Sequence, residues 1–436
     1  MVEPLTGGII AVCILVSLLF LGLPIFVCLG FSGALGLIII EGFSGITLAI
    51  ANVAWTQTTS VGLLAVPVFI LMGNIVGAHG FGTDLYDTAS KWLGRLPGSL
   101  AIVSTVVSGL FGFMCGSGIA GTATIGGVAQ PEMERKGYNR RLALGTHAMG
   151  GGLSAIIPPS ILMILYAVQA ECSMGRMFFA GIIPGILLTL LMAAYISGRA
   201  FVNPSLCPKT EKVDTREKMV SLVYLIPLVV LFLVVLGGIY AGIWSPMEAG
   251  AAGAFFAVLI ALAYRRLKWQ TLKNAIYNTG KTTIMIYMLV IGANIFSLLC
   301  FASGLTDHLQ EFILGFELPN WGIVIVLLLV ITVLGFFLDV MALLLITLPI
   351  SLPIVTNLGY DPVWWGIIMI VGCELAMITP PIGIHLFVIL GIAEEGTTLA
   401  DVAIGAAPFV ITIWFLFALL IVFPQLVLWL PGMMMH

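Results

Sequence analysis

The feature that most constrains this 436-residue chain is a pair of double prolines, each set in the middle of an apolar run. Ala148 to Ser160 reads Ala-Met-Gly-Gly-Gly-Leu-Ser-Ala-Ile-Ile-Pro-Pro-Ser, and Ala376 to Gly383 reads Ala-Met-Ile-Thr-Pro-Pro-Ile-Gly. Two adjacent prolines remove two backbone donors and cannot continue a regular helix, so each run must break near its middle. Bare carbonyls at such a break are costly at membrane depth unless they line a cavity or bind an ion. Paired breaks at corresponding places in two halves of a chain point to a transport site.

Composition decides that these runs lie in a membrane. The chain is 60% hydrophobic and 8% charged, with mean hydropathy +1.17, which places it among polytopic helical membrane proteins. Its 50 glycines and 21 prolines suit closely packed and broken spans. A net charge of -3 without a basic run excludes nucleic acid as a partner. The seven cysteines form no CxxC pair and read as packing residues. No basic region or small-residue cleavage site opens the chain, so Leu5 to Leu23 is expected to be a retained span.

The second half replays the first. Pro246 follows Pro24 by 222 residues, Pro353 follows Pro131, Gly359-Tyr360 follows Gly137-Tyr138, and Pro380-Pro381 follows Pro158-Pro159, all at that offset. A constant offset through four motifs marks a duplication. The expected repeats are residues 1–198 and 219–436, joined by a cytoplasmic linker, 199–218, that carries Lys209, Lys212, Arg216 and Lys218. Scaffold spans are expected over 1–60 and 219–280, with residues 42–60 along the membrane interface.

Charge sets the hand of the repeat. The loops around Lys91 and Arg95, and from Arg135-Lys136 to Arg140-Arg141, are basic and therefore cytoplasmic, as are the linker and Arg265-Arg266-Leu267-Lys268. The counterparts of the first two loops, 304–320 and 357–362, contain Asp307, Glu311, Glu317 and Asp361 and no Lys or Arg. Corresponding loops thus face opposite sides, which makes the repeats inverted. Residues 99–131 must enter and leave on one side but fall short of the ~40 residues that two spans need. They are expected to form a re-entrant hairpin with its tip at Gly116 to Thr122, and 321–356, with its tip near Gly335 to Met341, is the inverted partner. The broken helices are 142–170 and 363–390. The fold class is therefore all-α and polytopic, with one hairpin and one broken helix per inverted repeat.

Tips and breaks present free carbonyls, hydroxyls and half-helix N-termini inside the protein. Carbonyl and hydroxyl oxygens suit sodium, and helix N-termini suit an anion. The candidates are Ser117, Gly118, Thr122 and Thr124 at the first tip, with Ser154 and Pro158 at its break. In the second half they are Gly335, Asp339 and Ala342 at the tip, with Thr379, Pro380 and Gly383 at the break. Sodium is assigned to Ser117, Ser154, Pro158, Gly335, Thr379 and Pro380. The competing reading is that these hydroxyls bond helix backbones in a packed bundle. Asp339, an intramembrane carboxylate 222 residues after Ser117, is the sharpest candidate, and a helix cap is its structural alternative. Glu374 has Gly152 as its repeat counterpart, so symmetry gives it no support. His147 and His385 read as hydrogen-bonded core histidines, and Glu394-Glu395 as a solvated loop. A Ser117–His147 hydrolase dyad is disfavoured, because three-residue Gly/Ser matches are common in a chain with 50 glycines and the repeat places no histidine equivalent opposite Asp339. The chain carries no P-loop and no HExxH. Energy must then come from an ion gradient or a partner, and the chain is expected not to be an enzyme.

These residues resemble the large membrane subunit of tripartite ATP-independent periplasmic (TRAP) transporters over essentially the whole chain. The resemblance rests on Pro131-Glu132-Met133 with Gly137-Tyr138, on Ile156-Ile157-Pro158-Pro159-Ser160, and on Ala180-Gly181-Ile182-Ile183-Pro184-Gly185. It rests equally on Gly238-Ile239-Tyr240-Ala241-Gly242 with Pro246 and Glu248-Ala249, and on Thr379-Pro380-Pro381 with Gly383. One departure stands at the first tip, where the family's Gly-Ser-Ser-x-Ala is Gly116-Ser117-Gly118-Ile119-Ala120 here. The resemblance implies an elevator-type secondary transporter of the bacterial inner membrane, driven by sodium. A small four-helix membrane subunit would complete the scaffold, and a periplasmic binding protein would deliver a carboxylate-bearing organic anion. Because the first apolar run begins by residue 5, the small subunit is expected to be a separate chain. A stand-alone sodium–dicarboxylate symporter and an ion channel are the alternatives.

Overall fold

The computed structural model describes residues 3–208 and 213–434. Lys209 and Lys212 of the expected linker lie outside the described residues. Among those described, every regular element is helical. The first half runs α1 (Pro4–Phe20), α2 (Ile25–Glu41), α3 (Phe43–Thr58), α4 (Ala65–Ala78), α5 (Phe81–Leu93), α6 (Ser99–Cys115), α7 (Gly118–Arg135), α8 (Arg140–Ile156), α9 (Ile161–Gln169) and α10 (Met174–Val202). The second runs α11 (Thr215–Ser221), α12 (Ile226–Phe232), α13 (Gly238–Tyr240), α14 (Pro246–Ala263), α15 (Trp269–Ala302), α16 (Leu305–Leu314), α17 (Asn320–Leu334), α18 (Val340–Asn357), α19 (Pro362–Met377), α20 (Ile384–Ile392), α21 (Leu399–Val422) and α22 (Gln425–Gly432). Among the described residues, six helical stretches, with Thr215–Tyr240 counted as one, are long and apolar enough to cross a membrane, and up to eight if each bent pair is one span. Large apolar side chains such as Phe20, Phe201, Trp269 and Ile411 are exposed, as a surface solvated by lipid requires.

The order of elements repeats at the offset read from the prolines. The clearest case is α18, whose first and last residues both lie 222 positions after those of α7. The expected 99–131 hairpin extends to Arg135, with Pro131 inside α7. The boundary expected at 280 falls inside α15, which is continuous for 34 residues. Its first-half counterpart is α3 and α4, which meet at a 50° bend. Thr59, Ser60 and Gly62 interrupt that stretch, whereas α15 carries only the isolated glycines Gly280 and Gly292, each costing a helix about 1 kcal/mol.

Packing sorts the helices into two groups. α1, α2, α4, α14 and α15 pack on one another, while α6 to α9 pack with α19 to α21. In the second group α8 crosses α21 at Gly145 and Gly405, where a Cβ on either residue would overlap the other helix's backbone. Such close approach replaces hydrophobic burial as the source of cohesion inside a membrane.

The basic segments gather together. Arg266 binds Asp84 through both guanidinium nitrogens and donates to the His79 carbonyl (3.2 Å). Trp92 donates to the Lys218 carbonyl (3.2 Å), the Asn139 amide donates to the Leu206 carbonyl (2.9 Å), and Arg141 pairs with Asp401 (3.3 Å). Glu394, in the expected solvated loop, accepts from Arg140 through its carbonyl (3.3 Å). The acidic loops make their own contacts past the far end of α8–α9. Asn320 donates to the Leu358 carbonyl (3.2 Å), and Arg176 pairs with Asp361 (3.4 Å).

Candidate functional site

α6 ends at Cys115 because Gly116 takes a left-handed conformation (φ 62°), and the chain turns back at once into α7. Ser117 caps α7 by accepting from the Ala120 amide (3.4 Å). The Gly116 carbonyl accepts from the Ile161 amide (3.1 Å), so the first tip is tied to the first residue beyond the first break. There α8 stops at Ile156, and α9 resumes after Pro158 and Pro159 with a 43° bend. The arm behind the tip is pressed onto α8, where a Cβ on Gly112 would overlap the Ser154 backbone. Ser154 itself donates to the Ser108 carbonyl (2.6 Å) and lies 3.0 Å from that of Gly150.

The second tip, Gly335 to Asp339, is built on a stronger cap. The Asp339 carboxylate accepts from the amides of Met341 (2.9 Å) and Ala342 (3.2 Å), so the structural alternative describes its bonding. At the second break α19 stops at Met377 and α20 begins at Ile384 after Gly383 (φ 38°). Thr379 donates to the Leu375 carbonyl (2.7 Å).

A cavity of roughly 40 Å³ lies where these pieces converge. Gly116, Ser117 and Gly118 line it from the first tip, Ala155 and Ile161 from either side of the first break, Met341 from the start of α18 beyond the second tip, and Glu374 and His385 from the second broken helix. It is large enough for a water or a small ion. Next to it a cavity of about 610 Å³ extends between the first tip, α4 and the first half of α15, and Ser117 and Thr124 are in its lining. Ser117 and Gly118 are thus brought together with the second half of the chain, and Thr124 faces the larger space. Pro158 lines an apolar crevice against α10 and α12 instead. Thr122, Ser154, Gly335, Asp339, Ala342, Thr379, Pro380 and Gly383 stand outside both polar linings. No hydrogen bond is made to the carbonyls of Pro158, Gly335 or Pro380 among the described residues.

Two features escaped sequence reasoning. His385 Nε2 lies 2.9 Å from a Glu374 carboxylate oxygen, and His385 Nδ1 lies 3.0 Å from the Thr122 hydroxyl, with all three side chains buried. Thr122 is also 3.0 Å from the Gly118 carbonyl, which can only accept, so the hydroxyl proton goes there and Nδ1 donates to Thr122. Glu374 and His385 are 11 residues apart across a break, a spacing with no helical signal. A Cβ on Gly118 would stand 3.0 Å from the His385 ring and from the Gly151 carbonyl, so the histidine occupies space that a larger residue at 118 would claim. His147, expected to be hydrogen-bonded, has no partner on either ring nitrogen among the described residues, which also removes the Ser117–His147 dyad. The second feature is the amide lining of the larger cavity: Asn74, Gln270, Asn274 and Asn278. Its sequence signal was the four-residue spacing of Gln270, Asn274, Asn278 and Thr282.

Residues 12–426 match the model of the DctM component of the tripartite ATP-independent periplasmic transporters. The chain belongs to the DctM family. The C4-dicarboxylate TRAP transporter large permease protein DctM of Pseudomonas aeruginosa is 32% identical over 405 residues, covering 93% of each chain. The sialic acid TRAP transporter large permease protein SiaM of Vibrio cholerae is 28% identical over 420 residues, covering 95% of this chain and 96% of that one. Among solved structures, the YdaH transporter of Alcanivorax borkumensis superposes with a TM-score of 0.63 at 16% identity, over 97% of this chain and 98% of that one, a likeness of fold alone. As a DctM-family protein the chain is a multi-pass inner-membrane permease for secondary uptake. It acts with a small membrane subunit and a periplasmic binding protein.

Proposed function

We propose that this DctM-family permease takes up a carboxylate-bearing organic anion with sodium, by elevator movement of a unit that carries both hairpins and both broken helices. The observation that carries this reading is the convergence, on one small cavity, of the first tip and the helix ends that flank the second tip and both breaks. The α7 N-terminus points partial positive charge at that cavity, and the carbonyls of Pro158, Gly335 and Pro380 with the Thr379 hydroxyl, which lie outside its lining, are the further oxygens offered to sodium. Inversion of the repeats is supported by the contacts among the basic segments and, separately, among the acidic loops. The helix sorting supports a mobile group, α6 to α9 with α17 to α21, moving against α1, α2, α4, α14 and α15.

The test is uptake of a panel of labelled organic acids into proteoliposomes that hold this chain and its small partner. It is run with and without an inward sodium gradient and the binding protein. Uptake that needs both supports the proposal, and uptake indifferent to sodium overturns the coupling. Uptake that ignores the binding protein replaces the tripartite mode with a stand-alone symporter.

A further inference from the structure

A crevice of about 300 Å³ runs between α6, the first break, α10 and α12, and shares no lining residue with either cavity of the candidate site. Every side chain that lines it is apolar. At its inner end Gly109 and Pro158 are buried, near the middle of the Arg140–Gln169 pair. At its rim Leu110, Ile186, Val229 and Leu233 are exposed, so the crevice is continuous with the lipid-facing surface. Phe113 of α6 and Phe232 of α12 touch across it, with ring centroids 5.2 Å apart. No further helix fits between walls that already meet, since packed helix axes stand about 8–10 Å apart. The segment between α12 and α13, Leu233–Gly237, is a π-helical turn, and its Leu233 and Leu236 belong to the wall. Such turns occur frequently at functional sites.

We infer that one acyl chain of a bilayer phospholipid occupies this crevice, entering at the rim and reaching Pro158 at the first break. Water finds no polar partner there, and an unfilled gap forfeits the dispersion contacts of its walls. Of what the surrounding bilayer offers at that depth, only a hydrocarbon chain is thin enough and apolar throughout. The gain is packing rather than hydrophobic burial, because the chain leaves one apolar medium for another. The crevice also straddles the two helix groups: α12 and the π-helical turn pack on α14, whereas α6 and α8 belong to the other group. A fluid chain withdraws and re-enters as α6 moves against α12, which a fixed side chain cannot do. That last clause, unlike the binding site, rests on the elevator reading above.

The test uses the large subunit with its small partner, moved from phospholipid nanodiscs into mild detergent and weighed by native mass spectrometry. The expected result is one phospholipid more on the unmodified complex than on Val229→Trp, whose indole fills the rim. Ile411→Trp, on a lipid-facing surface elsewhere, should retain what the unmodified complex retains. Phe232→Trp keeps an aromatic wall and gives a second readout, fluorescence quenching by phospholipid with brominated chains. Its quenching should survive exchange into detergent, while that of Ile411→Trp is lost. Equal lipid counts, or quenching at Phe232→Trp that disappears together with that of Ile411→Trp, overturn the inference. Quenching seen with the large subunit alone and absent from the complex gives the crevice to the small subunit and overturns it equally. Val229→Trp should also lower maximal uptake by about threefold with half-saturation unchanged, as expected of a slowed conformational step. An unchanged rate removes the clause on movement and leaves the lipid site. No uptake by the unmodified complex counts against the transport reading alone.

Discussion

The two hairpins occupy matching places in the repeat and yet are built to different ends. Of the 17 residues of α6, 15 are buried, whereas α17 buries five of its 15. The first tip is bonded to its own break through Gly116 and Ile161, and Pro158 and Pro159 are buried. At the second break Pro380, Pro381 and Ile382 are exposed. Beside the first hairpin lies the cavity of about 610 Å³; beside the second, between α15 and α18, lies one of about 130 Å³. The first hairpin is a buried wall of the open space, and the second presents its α17 arm at the surface. Composition explains the contrast, since α6 carries Ser104, Thr105, Ser108, Gly109 and Gly112 for close packing, while α17 is mostly Val, Leu and Ile.

The harshest way to break the comparison is to give the first arm the side chain of the second. Leu334 is the counterpart of Gly112, so Gly112→Leu copies α17 into α6 against the Ser154 backbone. The expected cost is at or beyond the ~1–3 kcal/mol of ordinary overpacking, read as loss of monodisperse protein on gel filtration. Leu334→Gly, the reverse copy, should leave assembly intact; equal damage from both would show that the arms are equally enclosed.

Next in size is the tie between halves. Glu374→Ala leaves His385 Nε2 buried without a partner and should destabilise by roughly 1–3 kcal/mol. Glu374→Gln keeps a hydrogen-bonding group and should cost clearly less. Thermal unfolding of the two variants in one detergent compares them, and equal losses would refute the assigned bond.

The caps come third. Asp339→Ala removes a carboxylate that serves two amides, while Ser117→Ala removes one 3.4 Å bond. Both fall within the ~0.5–2 kcal/mol typical of N-caps, with Asp339→Ala the larger. A reversed order would mean that the first tip depends on its cap and the second does not.

The smallest effect is expected at Thr379, half-buried at the open break. Thr379→Ala should change stability by under about 1 kcal/mol. Its sodium half-saturation for uptake, in contrast, should rise. A stability loss without a sodium effect would return Thr379 to the role of a helix-bonding hydroxyl.

Much of this architecture was fixed by sequence alone, because its signals are local. Double prolines end helices wherever they stand, so both breaks were legible. The 222-residue offset and the clustering of Lys and Arg set the repeat, the hairpins and the basic face, since chain length and charge act before any packing does. Tertiary structure decided which oxygens remain free, because a hydroxyl such as that of Ser154 or Thr379 bonds whichever carbonyl folding brings near. It also decided the Glu374–His385–Thr122 tie, whose members come from α19, α20 and α7 and share no spacing. The inequality of the two hairpins was partly written in the small residues of α6. The size of the space beside each depends on how the two helix groups meet, a property of packing that no single segment carries.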